Sequence, residues 1–308
     1  MSVAGASAAG KAVDGVDLGL YALTVLVWST SWVAMQFQLG TVEIIVSVFY
    51  RFAIAVAIMF AWVRLSGRQV WFPARLHLRF ALMGVLMFSW NFALFYTAAQ
   101  WVTSGLLAVV FSLVTILNPL NAAIVLRERP EPRVLAAALI GVCGVALIFW
   151  PEIASAGRDV LIGLVLAITG AVFFSLGNIV AASVQRQGYP VVPSNAWGMV
   201  YGMLSLLAIV LVTGAPFNFD ARFAYVSSLL VLAISSTVIA FASYLTLMRR
   251  IGPGRAGYAT VMFPIGALAI SWAFEGYQWS APAIAGLCLA LAGNVLVLRR
   301  RPAPAPGA

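Results

Sequence analysis

The side chains with chemistry to offer are few, and most sit inside long apolar runs. Trp28 and Trp32 are four residues apart, so a helix places both indoles on one face, with Ser31 and Gln36 adjoining. An indole beside a hydroxyl suits the wall of a site for an amphipathic ligand, and equally suits a filler of gaps between helices. Trp90, Asn91, Asn178, Ser243 and Tyr244 lie in further apolar runs. They bring hydrogen-bond donors and acceptors without fixed charge, fit either to hold a polar headgroup or to bond neighbouring helices. Asn294 reads as helix-bonding glue. Together, Trp28, Ser31, Trp32, Trp90, Asn91, Asn178, Ser243 and Tyr244 form the candidate binding set.

Arg51 is the only ionisable residue deep in an apolar run. A charge there costs about 2.5–3.5 kcal/mol on insertion scales, so it needs a partner. Bonding to helix-end carbonyls, or snorkelling outward near Glu43, is favoured over attraction of a ligand carboxylate. No acid is placed for a proton relay: Glu43 and Glu275 are peripheral, Glu128 ends a run, and the single histidine, His77, falls in a loop. Pro119 and Pro264 lie inside runs at nearly equivalent positions and are candidate gating kinks. The two cysteines, Cys143 and Cys288, sit in apolar runs and offer neither a disulfide framework nor a metal site. Gly252-Pro-Gly254-Arg-Ala-Gly257 fits the dinucleotide fingerprint, but it follows an apolar run rather than a strand and reads as a turn. Gly198 and Gly202 permit close helix packing. No cofactor motif and no signature of an enzyme is present.

These residues must be positioned by elements of an unusual kind. Of 308 residues, 63% are hydrophobic and 9% charged, against about 25% charged in soluble domains. The net charge of +9 alone would point to a nucleic-acid partner, but a mean hydropathy of +1.01 describes a chain dissolved mostly in lipid. Ten runs approach the roughly 20 residues needed to cross a bilayer. They span 18–39, 42–64, 78–100, 103–126, 134–150, 160–182, 195–213, 223–247, 256–274 and 282–298. Backbone groups in lipid must be satisfied internally, so these runs are read as helices. Residues 1–17 and 299–308 read as disordered tails.

Basic residues mark the cytoplasmic side of membrane proteins. With both termini on one side, that side holds 15 of the 18 Lys and Arg residues; the opposite side holds Arg158 and Arg222, and Arg51 lies between. Both termini are therefore expected to be cytoplasmic.

The chain also repeats itself. Gly105 and Glu128 are 23 residues apart, as are Gly252 and Glu275. Ala137 and Gly144 mirror Gly286 and Gly293, and Trp28-Ser29 lies 146 positions before Phe174-Ser175. Five helices per half is odd, so the second half enters the membrane in the opposite sense. The expected fold is an all-α membrane protein of ten transmembrane helices in two inverted five-helix repeats, 18–150 and 160–298. Such repeats are common in secondary transporters, with the site near the midplane.

Trp28-Ser29-Thr30-Ser31-Trp32 in the first span and the proline-bearing fourth span, running into Leu126-Arg127-Glu128-Arg129, resemble the drug/metabolite transporter superfamily. The chain is most similar there to the bacterial aromatic amino-acid exporters. One departure is the Leu-Arg-Glu at the end of span four, where many members carry Leu-Gly-Glu. The resemblance implies an exporter of aromatic and other hydrophobic amino acids, or similar small amphipathic metabolites, working by alternating access. It implies a bacterial inner-membrane location. Without an intramembrane acid, transport is expected to be facilitative. Drugs or nucleotide-type metabolites are the alternative cargo. The expected partners are a small-molecule substrate and the lipid bilayer, not nucleic acid; the oligomeric state stays open, and a monomer fits.

Overall fold

The computed structural model describes residues 14–127, 129–251, 256 and 259–298. Among them the chain forms ten helical spans and no strand. In order they are α1 (Gly15–Gln36), α2 (Ile44–Leu65), α3 (Ala74–Ala98), α4 (Ser104–Val125), α5 (Pro132–Ala156), α6 (Arg158–Arg186) and α7 (Val191–Thr213). Then come α8, in three continuous stretches (Phe223–Leu230, Val231–Ile239 and Ala240–Ile251), α9 (Ala259–Glu275) and α10 (Ala281–Leu298). The first eight are long and apolar enough to cross a membrane, and α9 and α10 are shorter apolar helices. Glu128 and the glycines of the 252–257 turn lie outside the described residues.

Helix ends depart from the sequence expectation where local chemistry extends them. Asp14 accepts a hydrogen bond from the Asp17 backbone N–H at 2.9 Å, and the Asp17 carboxylate accepts from the Asp14 N–H at 3.2 Å. This capping box starts α1 at Gly15, so residues 15–17 are helical rather than part of a disordered tail. Arg250, near the end of α8, donates to Asp14 at 2.8 Å and also bonds Asp17, tying the two ends together. α3 starts at Ala74, after Pro73, so His77 is helical and not in a loop. Its Nδ1 lies 3.0 Å from the Tyr201 hydroxyl, and its ring stands edge-on to Trp197. α5 continues through Pro151 to Ala156, which leaves almost no loop before α6. α4 ends on Arg127, whose φ of 56° lies in the left-handed region. Glycine is the usual residue there, and a side chain costs roughly 1–2 kcal/mol. The Leu-Arg-Glu sequence thus keeps the fold at a local penalty.

Small residues set the closest approaches. A Cβ on Gly144 of α5 would lie 2.5 Å from the Ala290 nitrogen and 2.7 Å from the Gly286 oxygen of α10. A Cβ on Gly293 would lie 2.8 Å from the Ala137 oxygen, so the two helices run antiparallel with their backbones in contact. Gly198 and Gly202 of α7 use the same device against Gly84 and Phe88 of α3, within one chain. The outward surface carries large apolar side chains such as Leu26, Leu139, Val212 and Phe274. Water would penalise so much exposed apolar area, whereas a bilayer does not.

At one end of the bundle, the loop before α8 is held by charge. Asp220 accepts from Arg222 through Nε at 2.8 Å and a terminal nitrogen at 2.6 Å, and Arg222 also donates to Thr41 at 2.7 Å. These bonds from Arg222 hold the Asp220 carboxyl below the usual carboxylate range. A lowered native pKa contributes stability that is present above the unfolded value and lost as pH falls through the native one. Melting curves of wild type and Asp220→Asn should therefore differ at neutral pH, with the variant slightly lower, and converge as pH drops below about 4. A gap that persists at acid pH would show that the carboxylate charge is not what holds the loop.

Candidate functional site

Eight of the ten helices surround a central cavity of about 440 Å³; among the described residues, none of α5 or α10 lines its wall. This size falls in the range of small-molecule sites. Towards one end the cavity reaches Gln185, which is exposed, and Val191 at the start of α7. Towards the other it stops at Met35, Arg51 and Phe95. Beyond that floor the helices are latched by buried polar contacts. Gln38 donates to the Tyr225 carbonyl at 2.9 Å and to Ser228, and Ser47 and Tyr225 share a hydroxyl bond at 2.9 Å.

The wall is mainly aromatic. Trp32 packs edge-on to Phe95 at 5.4 Å, tilted to Phe111 at 5.5 Å, and parallel to Phe263 at 6.4 Å between ring centroids. Trp28 lies 5.1 Å from Tyr244 and 6.1 Å from Phe263. Phe111 continues the series to Phe174 at 4.9 Å.

Of the candidates read from sequence, Trp28, Ser31, Trp32, Asn91, Asn178 and Tyr244 line the cavity together. Trp90 and Ser243 do not. Trp90 is 43% exposed on the outer surface, and Ser243 is buried away from the wall. On α3 the cavity side is taken by Met87, Phe88, Asn91, Phe92 and Phe95, and on α8 by Ser236, Thr237, Phe241 and Tyr244, which leaves Trp90 and Ser243 on other sides of their helices. Gln36 also turns away and donates to the Val102 carbonyl.

The polar lining is partly occupied by structure. Asn91 donates to the Gly170 carbonyl at 2.9 Å, Asn178 to Asn118 at 3.3 Å, and Ser31 to the Trp28 carbonyl at 2.8 Å. Asn294 is buried and bonds Ser112 at 3.0 Å, joining α10 to α4. Pro119 in α4 and Pro264 in α9 offer no N–H to the carbonyls four residues earlier, those of Thr115 and Thr260. The hydroxyls of those two threonines meet at 3.1 Å on the cavity wall.

Arg51 is the lining residue that sequence reasoning set aside. It is only 5% exposed. It neither snorkels outward nor reaches helix-end carbonyls. Instead it donates to the Tyr96 hydroxyl and the Thr237 hydroxyl, each at 3.2 Å. Its guanidinium carbon lies 4.6 Å from the Phe92 ring centroid. Thr237 sits in a π-helical stretch of α8, Val231–Ile239, and α3 has another at Val85–Trp90. Such wide turns often occur at functional sites. Glu275 does not enter the cavity: it accepts from the Ser104 N–H at 2.9 Å and caps α4.

Ten apolar helices, eight of them lining an aromatic cavity, make this a multi-pass membrane protein. The profile of the EamA-like transporter family matches residues 18–150 and again 161–299. The chain belongs to that family of transporters, within the drug/metabolite transporter superfamily. It is 22% identical over 290 residues to the uncharacterized transporter YoaV of Bacillus subtilis (strain 168), covering 93% of this chain and 98% of that protein. An uncharacterized transporter of Archaeoglobus fulgidus is 24% identical over 282 residues, covering 91% and 98%. A crystal structure with a TM-score of 0.63 and 18% identity spans 91% of this chain and 95% of its own, and shares the fold.

Proposed function

We propose that this protein exports aromatic and other hydrophobic amino acids, or similar small amphipathic metabolites, across a bacterial inner membrane by alternating access. The observation that carries the reading is the aromatic cavity built around Trp28, Trp32, Phe111 and Phe263, with asparagine and hydroxyl groups along its wall. Such a wall matches a cargo with an apolar body and a polar head.

The two halves, 18–150 and 160–298, act as inverted repeats. A shift of 149 positions carries Gly144 to Gly293 and Ala137 to Gly286. The contact of Gly144 with Gly286 and that of Gly293 with Ala137 are then the same contact seen from either half, which supports a two-fold relation. Pro119 and Pro264, joined through Thr115 and Thr260, are the gating kinks at this relation's centre. The excess of basic residues on one side supports cytoplasmic termini. The cavity's reach towards Gln185 and Val191 then corresponds to an inward-facing state. Among the described residues no acidic side chain lines the cavity, which supports facilitative transport driven by the cargo gradient.

Purified protein in liposomes preloaded with unlabelled amino acid is expected to take up labelled Trp, Phe, Tyr, Leu or Met by saturable counterflow. If all five fail to exchange, the cargo assignment is wrong while the fold stands.

A further inference from the structure

Among the described residues Arg51 is the only formal charge on the cavity wall, and its neighbours leave that charge unbalanced. Its two terminal nitrogens bond neutral hydroxyls, its Nε has no partner, and none of the ion pairs among the described residues includes it. Phe92 and Phe52 lie within cation–π range, at 4.6 and 5.9 Å from the guanidinium carbon. Aromatic faces and hydroxyls offset only part of the cost of a buried charge, which is normally met by a counter-ion. Arginine keeps its proton under all physiological conditions, and its planar fork fits a carboxylate.

We propose that Arg51 receives the carboxylate of the transported molecule. The apolar body of the cargo then extends from Arg51 along the Trp32 wall; to that extent the inference rests on the amphipathic cargo proposed above. The bonded hydroxyls belong to α3 and α8, and they join α2 at the closed end of the cavity. The two hydroxyl bonds use two of the guanidinium's five N–H groups, so N–H donors remain for an arriving carboxylate. The chemical class selected is a monocarboxylate with an aromatic or branched apolar body.

The test compares acids with their amides, which differ by one negative charge and little in shape. Phenylalanine is set against phenylalaninamide, and 3-phenylpropionate against 3-phenylpropionamide. Binding is read from quenching of tryptophan fluorescence in purified protein, and transport from counterflow. Wild type is expected to bind each acid at least tenfold more tightly than its amide. Arg51→Gln should abolish the preference, and Arg51→Lys should keep part of it. Equal binding of acid and amide by wild type overturns the proposal, as does failure of all four ligands to bind. A preference that survives in Arg51→Gln also overturns it. Should Arg51→Gln not fold, the wild-type pairs and Arg51→Lys decide. Amino acids that exchange without an acid preference refute the role of Arg51 alone. An Arg51-dependent preference for 3-phenylpropionate, with no amino-acid exchange, refutes the amino-acid cargo and leaves the carboxylate site standing.

Discussion

Gly144→Leu is expected to leave little folded protein. Any side chain at this position drives its Cβ to 2.5 Å from the Ala290 nitrogen and 2.7 Å from the Gly286 oxygen. Both are main-chain atoms in a helix, so no rotamer change relieves the clash and α5 must part from α10. In a bilayer that separation is not opposed by the hydrophobic effect, because lipid tails are as apolar as the helix surface. Association there rests on close packing, which the new side chain removes. Overpacking costs about 1–3 kcal/mol where side chains can adjust. Backbone against backbone should reach or exceed the top of that range, a large share of a stability of roughly 5–15 kcal/mol. Yield of monodisperse protein and the melting temperature in detergent measure the effect. Gly19→Leu is the control, since nothing lies within 4 Å of a Cβ there. Equal melting of Gly144→Leu and wild type would mean that the helices separate here at no cost.

The second large effect is expected at Trp32. Its indole contacts Phe95, Phe111 and Phe263, and Trp32→Ala removes the centre of the aromatic wall. Aromatic pairs contribute about 0.5–1.5 kcal/mol each beyond their buried area. Loss of the central ring should weaken cargo binding by about 10–100-fold, since each 1.4 kcal/mol is a factor of ten. Trp32→Phe should recover much of that loss. Trp90→Ala, which alters an outward-facing indole, should leave half-saturation in counterflow unchanged. If Trp32→Ala exchanges cargo with wild-type half-saturation, the aromatic wall is not the binding surface.

The contrast between Trp32 and Trp90 shows what could be read from the chain alone. The ten spans were legible because length and hydropathy are local properties. Their ends were less so: the Asp14–Asp17 capping box reads as two charges until its bonds are seen. Trp28 and Trp32 line the same cavity, as a spacing of four on one helix face allows. Which face looks inward is harder to read in lipid, where the outward surface is apolar too and no polar stripe marks it. Hence Trp90 and Ser243 could not be separated from Asn91 and Tyr244, and Phe95, Phe111 and Phe263 did not stand out among 19 phenylalanines. Arg51 was conspicuous as an isolated charge, but its partners lie 45 and 186 positions further along the chain.

That separation also orders the making of the protein. When α2 leaves the ribosome it carries a cation and nothing yet to meet it. Tyr96 follows within the next helix, so α2 and α3 have reason to enter the bilayer as a hairpin. Thr237 arrives only with the eighth helix, after most of the chain has been synthesised. Until then the nascent first half holds its guanidinium with Tyr96 alone, and the second half supplies the second hydroxyl.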